Sequence, residues 1–163
     1  MTISVGDRIP DVAVRVVQDG VPTPTTTGEL LGSGRVVLFA VPGAFTPTCS
    51  STHLPSYVDT AADLAAAGVD RIVCISVNDA FVMNAWAQAN GVGDEITMAS
   101  DGNADFARAV GMDIDGTAFG MGTRSKRYAM VIEDGVVTVF LPEEDGFSAI
   151  ASNGQCVLDA LRA

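Results

Sequence analysis

Two stretches of the chain, Arg35-Val36-Val37-Leu38-Phe39-Ala40-Val41 and Arg71-Ile72-Val73-Cys74-Ile75-Ser76-Val77, are apolar without alternation and rich in β-branched residues. Strands covered on both faces have this pattern, so both are expected at the centre of a sheet, running parallel. Between them Leu54, Tyr57, Val58, Ala61, Ala62, Leu64 and Ala65 recur at helical spacing until Gly68 breaks the pattern. A helix over 51–67 would complete a βαβ unit. Asn78-Asp79 then stands where a cap belongs, before a helix running to about Asn90 with Phe81, Val82, Ala85 and Trp86 as its inward stripe. A short strand over 96–99 follows, and Asn103 is placed to cap a helix over 104–110 that stops at Gly111.

The pattern changes towards the C-terminus. Residues 127–132 and 136–141 are two strand-like runs joined by Glu133-Asp134-Gly135, and Asp-Gly between apolar runs signals an antiparallel hairpin. Residues 153–161 supply a final helix, with Val157, Leu158 and Leu161 on one face. Val21-Pro22-Thr23-Pro24-Thr25-Thr26-Thr27 reads as an exposed loop. Taken in order, βαβ, further α/β and then ββα predict a single α/β domain over 1–163. It is thioredoxin-like, a central mixed sheet flanked by helices, with an N-terminal extension.

Composition narrows the partners. Nine lysines and arginines against twenty aspartates and glutamates leave a net charge of −11, which repels phosphate backbones and anionic headgroups. Neither nucleic acid nor a membrane is therefore expected as a partner. The first residues, Met1-Thr2-Ile3-Ser4-Val5-Gly6-Asp7, carry no charged leader and no apolar core of signal-peptide length, and the expectation is a cytoplasmic protein. Three cysteines at long intervals do not make a secreted disulfide framework, so free thiols are expected.

Cys49 is the thiol with a setting. It lies in Val41-Pro42-Gly43-Ala44-Phe45-Thr46-Pro47-Thr48-Cys49-Ser50-Ser51-Thr52-His53-Leu54-Pro55, just beyond an apolar strand, at the start of a helix and three residues after a hydroxyl. A thiol reacts as thiolate, and an ordinary cysteine, with a pKa of about 8.5, is mostly protonated at neutral pH. Two features would favour the charged form: the positive end of the helix, and a cation brought in by the fold. The only basic cluster is Arg124-Ser125-Lys126-Arg127, and Arg127 leads directly into a predicted strand whose end lies beside that helix in a thioredoxin-like fold. Thr46 can hydrogen-bond sulfur or a bound oxygen, while Pro42 and Pro47 shape the loop and limit its solvation. Against this stands the ordinary reading of a cysteine as a small buried residue.

The residues around Cys49 resolve that choice by resemblance. Pro42-Gly43-Ala44-Phe45-Thr46-Pro47-Thr48-Cys49 contains the P-x-x-x-T-x-x-C pattern of peroxiredoxins, and the longer string through Pro55 resembles their type-five, plant type II subfamily within the AhpC/TSA-redoxin superfamily. The blocks 74–82 and 122–130 are similar to later blocks of the same subfamily, and the resemblance runs from about Val5 to Leu161. It implies a thiol-dependent peroxidase that needs no cofactor and no metal. Cys49 would attack hydrogen peroxide or an alkyl hydroperoxide and become a sulfenic acid. Arg127 and Thr46 would bind the peroxide, Pro42 would shield the site, and Gly43 and Phe45 would complete the substrate site.

Recycling is the less determined half. The resemblance makes Cys74 a candidate resolving thiol, because plant type II relatives use a cysteine at that position while other members carry it without that role. Otherwise glutathione with glutaredoxin, or thioredoxin, would reduce Cys49 directly. Cys156 does not align with the resolving cysteine of animal-type relatives and reads as structural. His53, four residues after Cys49, reads as a hydrogen-bonded helix residue before it reads as a base or as one of a zinc set with the three cysteines. Three alternatives accompany the main reading. A dithiol oxidoreductase fails because Thr46 stands where its first thiol belongs, a non-enzymatic redox sensor or holdase would not turn over, and a zinc protein would carry metal. The resemblance also implies a homodimer, to which Phe45 and Phe81 would add apolar area.

Overall fold

The computed structural model describes every residue, Met1–Ala163. Its nine strands are β1 (Ala13–Gln18), β2 (Val21–Thr26), β3 (Arg35–Val41), β4 (Arg71–Ser76), β5 (Thr97–Ser100), β6 (Asp113–Asp115), β7 (Thr123–Ser125), β8 (Tyr128–Glu133) and β9 (Val136–Pro142). Its helices are α1 (Thr27–Leu31), α2 (Leu54–Ala66), α3 (Ala80–Ala89), α4 (Asp105–Ala109) and α5 (Gly154–Arg162). Seven strands form one sheet in the order β2-β1-β5-β4-β3-β8-β9, and β6 and β7 form a small separate hairpin. Strands β3, β4 and β5 run parallel, while β1 and β8 pair antiparallel with the outer members of that trio.

The continuous apolar runs are buried on both faces, as their patterns require. Along β4, Ile72 and Cys74 point to one side and Val73 and Ile75 to the other. On the first side Leu54, Tyr57 and Leu64 of α2, Met83 and Trp86 of α3, and Val157 and Leu158 of α5 close one core. On the second, Ile3, Ile9, Leu31 and Phe106 close the other. Asp134 and Gly135 both take positive φ, 48° and 83°, so the Asp-Gly hairpin turns as its sequence predicts. Asp79 caps α3 through the Val82 N–H, and Asn153 caps α5 through the Cys156 N–H.

Four local expectations are corrected. The 21–27 segment is not a loop: residues 21–26 are β2, the sheet's edge strand, with Pro22 opposite Val17 and Pro24 opposite Arg15. Prolines two residues apart turn the same side of the backbone away from the ladder, so an edge strand loses no hydrogen bond to them. Asn103 does not cap α4; the buried carboxylate of Asp101 does, accepting from the N–H groups of Phe106 and Ala107. Burial raises the pKa of Asp101 and those two bonds oppose the rise. The inward stripe of α3 is Ala80, Met83, Trp86 and Ala87, which leaves Phe81 71% exposed. Finally, the helix after β3 does not begin as a regular α-helix, which bears directly on Cys49.

Candidate active site

Strand β3 delivers Pro42 at its end, and the loop beyond is held by short-range bonds. Thr46 Oγ1 donates to the Gly43 carbonyl at 2.7 Å, and the Ala44 N–H donates to Asn78 Oδ1 at 2.9 Å. Between them Phe45 sits at φ 64°, a left-handed conformation that costs a non-glycine residue about 1 kcal/mol or more. Pro47 then opens the helical segment, where a fixed φ and a missing N–H are harmless. Residues Cys49–His53 form a π-helical turn, closed by the Leu54 N–H on the Cys49 carbonyl. Pro55 has no N–H with which to continue an α-type ladder back to Ser51, and the wide turn accommodates that gap. Trp86 Nε1 donates to Ser50 Oγ at 2.9 Å and pins the turn to α3. Cys49 and His53 both face inward, with no exposed surface.

Arg127 meets them there. Its chain enters β8 seventy-eight residues after Cys49, yet its side chain is only 2% exposed and makes three hydrogen bonds. Nη2 donates to Cys49 Sγ at 2.9 Å, Nη1 to His53 Nδ1 at 2.8 Å, and Nε to the Phe147 carbonyl at 2.8 Å. A guanidinium has no acceptor, so His53 Nδ1 must present its lone pair. The ring proton therefore lies on Nε2, which donates to the Ser152 carbonyl at 2.9 Å. Tyr57 Oη donates to the same carbonyl at 2.6 Å. Ser152 is fixed in turn by Glu143, whose Oε1 accepts from its N–H at 2.8 Å and its hydroxyl at 2.7 Å.

These bonds settle what His53 does. Burial first, and the Arg127 charge second, push its pKa from 6.5 down to about 3, against the opposing bond to Ser152. It is a neutral ring with both nitrogens engaged by protein partners: it steadies Arg127 and is no base for Cys49. A pH dependence follows. Below pH 6.5 the unfolded chain takes up a proton that the folded ring refuses, so stability falls as pH falls, by about 1.4 kcal/mol per unit from this residue until pH nears 3. His53→Gln, which can accept from Arg127 and donate to Ser152 without titrating, should lose that part of the slope. Urea midpoints measured from pH 7 to pH 4 test this, and a slope unchanged in the variant overturns it.

Arg127 also lines a pocket of about 300 Å³, together with Pro42, Thr46, Pro47, Thr48, Phe119, Met121 and Phe147; Cys49, with no exposed surface, lies behind that wall and does not line it. Pro42, Thr46 and Arg127 share this pocket, and of the three only Arg127 bonds Cys49. Gly43 and Phe45 belong to the same loop but do not line the pocket. Cys74 is buried in the same core cluster as Cys49, mid-strand, opposite Phe39 on one side and Met98 on the other. Burial, and then the nearby Cys49 thiol, push its pKa well up. Cys156 is half-buried, its thiol donating to the Ile150 carbonyl at 3.2 Å, and all three cysteines are free. Sequence reasoning missed Tyr57, Glu143, Phe147 and Ser152. Tyr57 lies one helical turn after His53, a spacing that could have linked the two, but no spacing signal could have found the others, since Ser152 lies 99 residues from the ring it serves.

A thioredoxin-like sheet that holds a buried thiol against an arginine, itself part of an apolar pocket wall, defines a thiol-dependent oxidoreductase. Comparison with known proteins narrows the class. The Redoxin family model matches residues 4–150. Peroxiredoxin-2E-2, chloroplastic, of Oryza sativa subsp. japonica is 47% identical over 98% of this chain and 73% of its own length. Peroxiredoxin sll1621 of Synechocystis is 41% identical over 92% of this chain and 84% of its own. Among solved structures, reduced Prx3 of Vibrio vulnificus in complex with hydrogen peroxide superposes with a TM-score of 0.93 at 44% identity, covering 98% of this chain and 99% of that one. The chain belongs to the Redoxin family and is a peroxiredoxin of the AhpC/TSA superfamily, a thiol-dependent peroxidase.

Proposed function

We propose that Cys49 is the peroxidatic nucleophile and that the enzyme reduces hydrogen peroxide and alkyl hydroperoxides in antioxidant defence and redox homeostasis. The observation that carries this reading is the 2.9 Å bond to Cys49 Sγ from Nη2 of Arg127, a residue of the pocket wall. The thiolate attacks the terminal oxygen of the hydroperoxide. A sulfur–oxygen bond forms, the O–O bond breaks, and the departing alkoxide or hydroxide takes up a proton to leave as alcohol or water. Arg127 stabilises the thiolate and then the charge that spreads onto oxygen, so it binds the transition state more strongly than the ground state. Thr46 bonds the peroxide oxygens, Pro42 keeps water off the sulfur, and Gly43 and Phe45 act through the shape of the loop. That the Vibrio vulnificus neighbour was solved with hydrogen peroxide supports the choice of substrate.

The resulting sulfenic acid is reduced by an external thiol, from glutathione with glutaredoxin or from thioredoxin. The setting of Cys74 supports this route over an internal disulfide: a fully buried thiol paired into two ladders is a poor nucleophile until strands part. The working form is a homodimer joined through the loops beside the pocket, where Phe45, Phe119 and Phe147 are exposed by 55%, 74% and 43%. Membership of a peroxidase family supports turnover over a non-enzymatic redox-sensor role.

Native mass spectra before and after one equivalent of hydroperoxide, without reductant, test this reading. The expected species is a dimer carrying one added oxygen per chain, mapped to Cys49. A Cys49–Cys74 disulfide would replace the external route, and oxygen on another cysteine would overturn the assignment of the nucleophile.

A further inference from the structure

Residues 113–125 leave the central sheet as an arm. Strands β6 and β7 pair Asp113 with Ser125 and Asp115 with Thr123, and the tip is folded on itself by the Gly116 N–H on the Gly122 carbonyl and the Met121 N–H on the Gly116 carbonyl. Gly120 and Gly122 take φ 68° and 64°, which lets the tip close tightly. This tip supplies Phe119 and Met121 to the pocket wall, beside Arg127, Phe147 and the residues of the Cys49 loop.

One side chain ties the arm to the body. Arg124 Nε donates to the Met121 carbonyl at 2.8 Å, inside the arm, and Nη1 donates at 3.0 Å to the Val77 carbonyl, just past β4. No other hydrogen bond joins residues 113–125 to the rest of the fold beyond their immediate chain neighbours. Arg124 has no carboxylate partner; the one ion pair in the molecule is Arg35–Glu133. Its contacts are with the loop instead. A methyl group on Gly43 would lie 3.3 Å from Arg124 Nη1, 3.5 Å from Met121 Cε and 3.2 Å from Thr46 Cγ2. The clamp, the arm tip and the Cys49 loop therefore meet at Gly43.

We infer that Arg124 is a positioning residue that holds the apolar wall of Phe119 and Met121 over the pocket, and thereby sets the preference for hydroperoxides with an alkyl or aryl group over hydrogen peroxide. The inference rests on the proposed peroxidase reading of this pocket. Hydrogen peroxide has no apolar body to lay against that wall, whereas the organic part of an alkyl or aryl hydroperoxide has. Differences of apolar contact in such a pocket change discrimination by about tenfold or more.

The test compares cumene hydroperoxide with hydrogen peroxide for the unmodified enzyme, Arg124→Met, Arg124→Lys and Phe119→Ala. In Arg124→Met the ratio of kcat/KM for cumene hydroperoxide to that for hydrogen peroxide should fall about tenfold, chiefly through a higher KM for the aryl substrate. Arg124→Lys keeps one donor for the Val77 carbonyl and should recover part of the ratio. Phe119→Ala, with the clamp intact, should show the same direction of change, and it carries the test should Arg124→Met fail to fold. A loss shared equally by both substrates, or a ratio that stays put in Phe119→Ala, overturns the inference and leaves the peroxidase reading standing. An unmodified enzyme that consumes neither hydroperoxide overturns both.

Discussion

Cys49→Ser abolishes hydroperoxide reduction while leaving the fold in place. The serine hydroxyl is smaller than the thiol it replaces, carries an acceptor for Arg127 Nη2, and occupies a position where the side chain meets no solvent. Packing and hydrogen bonding thus change little, and circular dichroism and urea midpoints should stay close to those of the parent. Chemistry changes completely, because a hydroxyl at neutral pH has neither the ionised fraction nor the polarisable lone pairs with which sulfur attacks a weak O–O bond. Peroxide consumption coupled to a thiol reductant should drop to the rate of the reductant alone. Turnover that survives would move the nucleophile to Cys74 or Cys156 and would sink the mechanism, so Cys74→Ser and Cys156→Ser belong in the same series and should both turn over.

The parts of this molecule written by short-range chemistry were readable from the chain. The double-sided burial of β3 and β4, the Asp134-Gly135 turn and the cap at Asp79 each follow from residues within a few positions of one another. Pro42 and Thr46 share one loop, so their place in one pocket was readable too. Elsewhere the local signal was overridden. The prolines of β2 argued for a loop and were tolerated because the strand is an edge. Asn103 is a better cap than most residues, yet Ala104 at φ 61° turns the chain so that Asp101 reaches the free N–H groups instead. The π-turn at Cys49–His53 answers to Pro55, a constraint visible in sequence whose resolution, a wider turn instead of a kink, is decided by packing. Least legible was the chain from Arg127 through His53 to Ser152 and Glu143, whose members are ordinary residues until the fold collects them.

That chain explains why Arg127 resists substitution, including by lysine. Its three donors each have their own acceptor, the Cys49 sulfur, the His53 ring and the Phe147 carbonyl, all within 2.8–2.9 Å. A planar fork serves three directions at once, and a compact ammonium on a shorter reach does not. In Arg127→Met the reaction loses the cation that holds charge on sulfur and oxygen, and kcat/KM should fall by about two to three decades, the loss seen when one donor to a developing anion is removed. Arg127→Lys should keep the charge without the geometry and fall between the parent and the methionine variant. The methionine variant also leaves the Phe147 carbonyl and His53 Nδ1 without a donor, at about 1–3 kcal/mol for each buried group left unpaired. Removing the guanidinium also removes the second cause of the low pKa of His53, which must then rise from about 3. Acid destabilisation should consequently level off at a higher pH in Arg127→Met than in the parent. Stopped-flow oxidation of the reduced enzyme gives the rate, and urea midpoints across pH give the stability. A large rate loss with an unmoved acid limb would mean that Arg127 acts on Cys49 without passing its charge to His53.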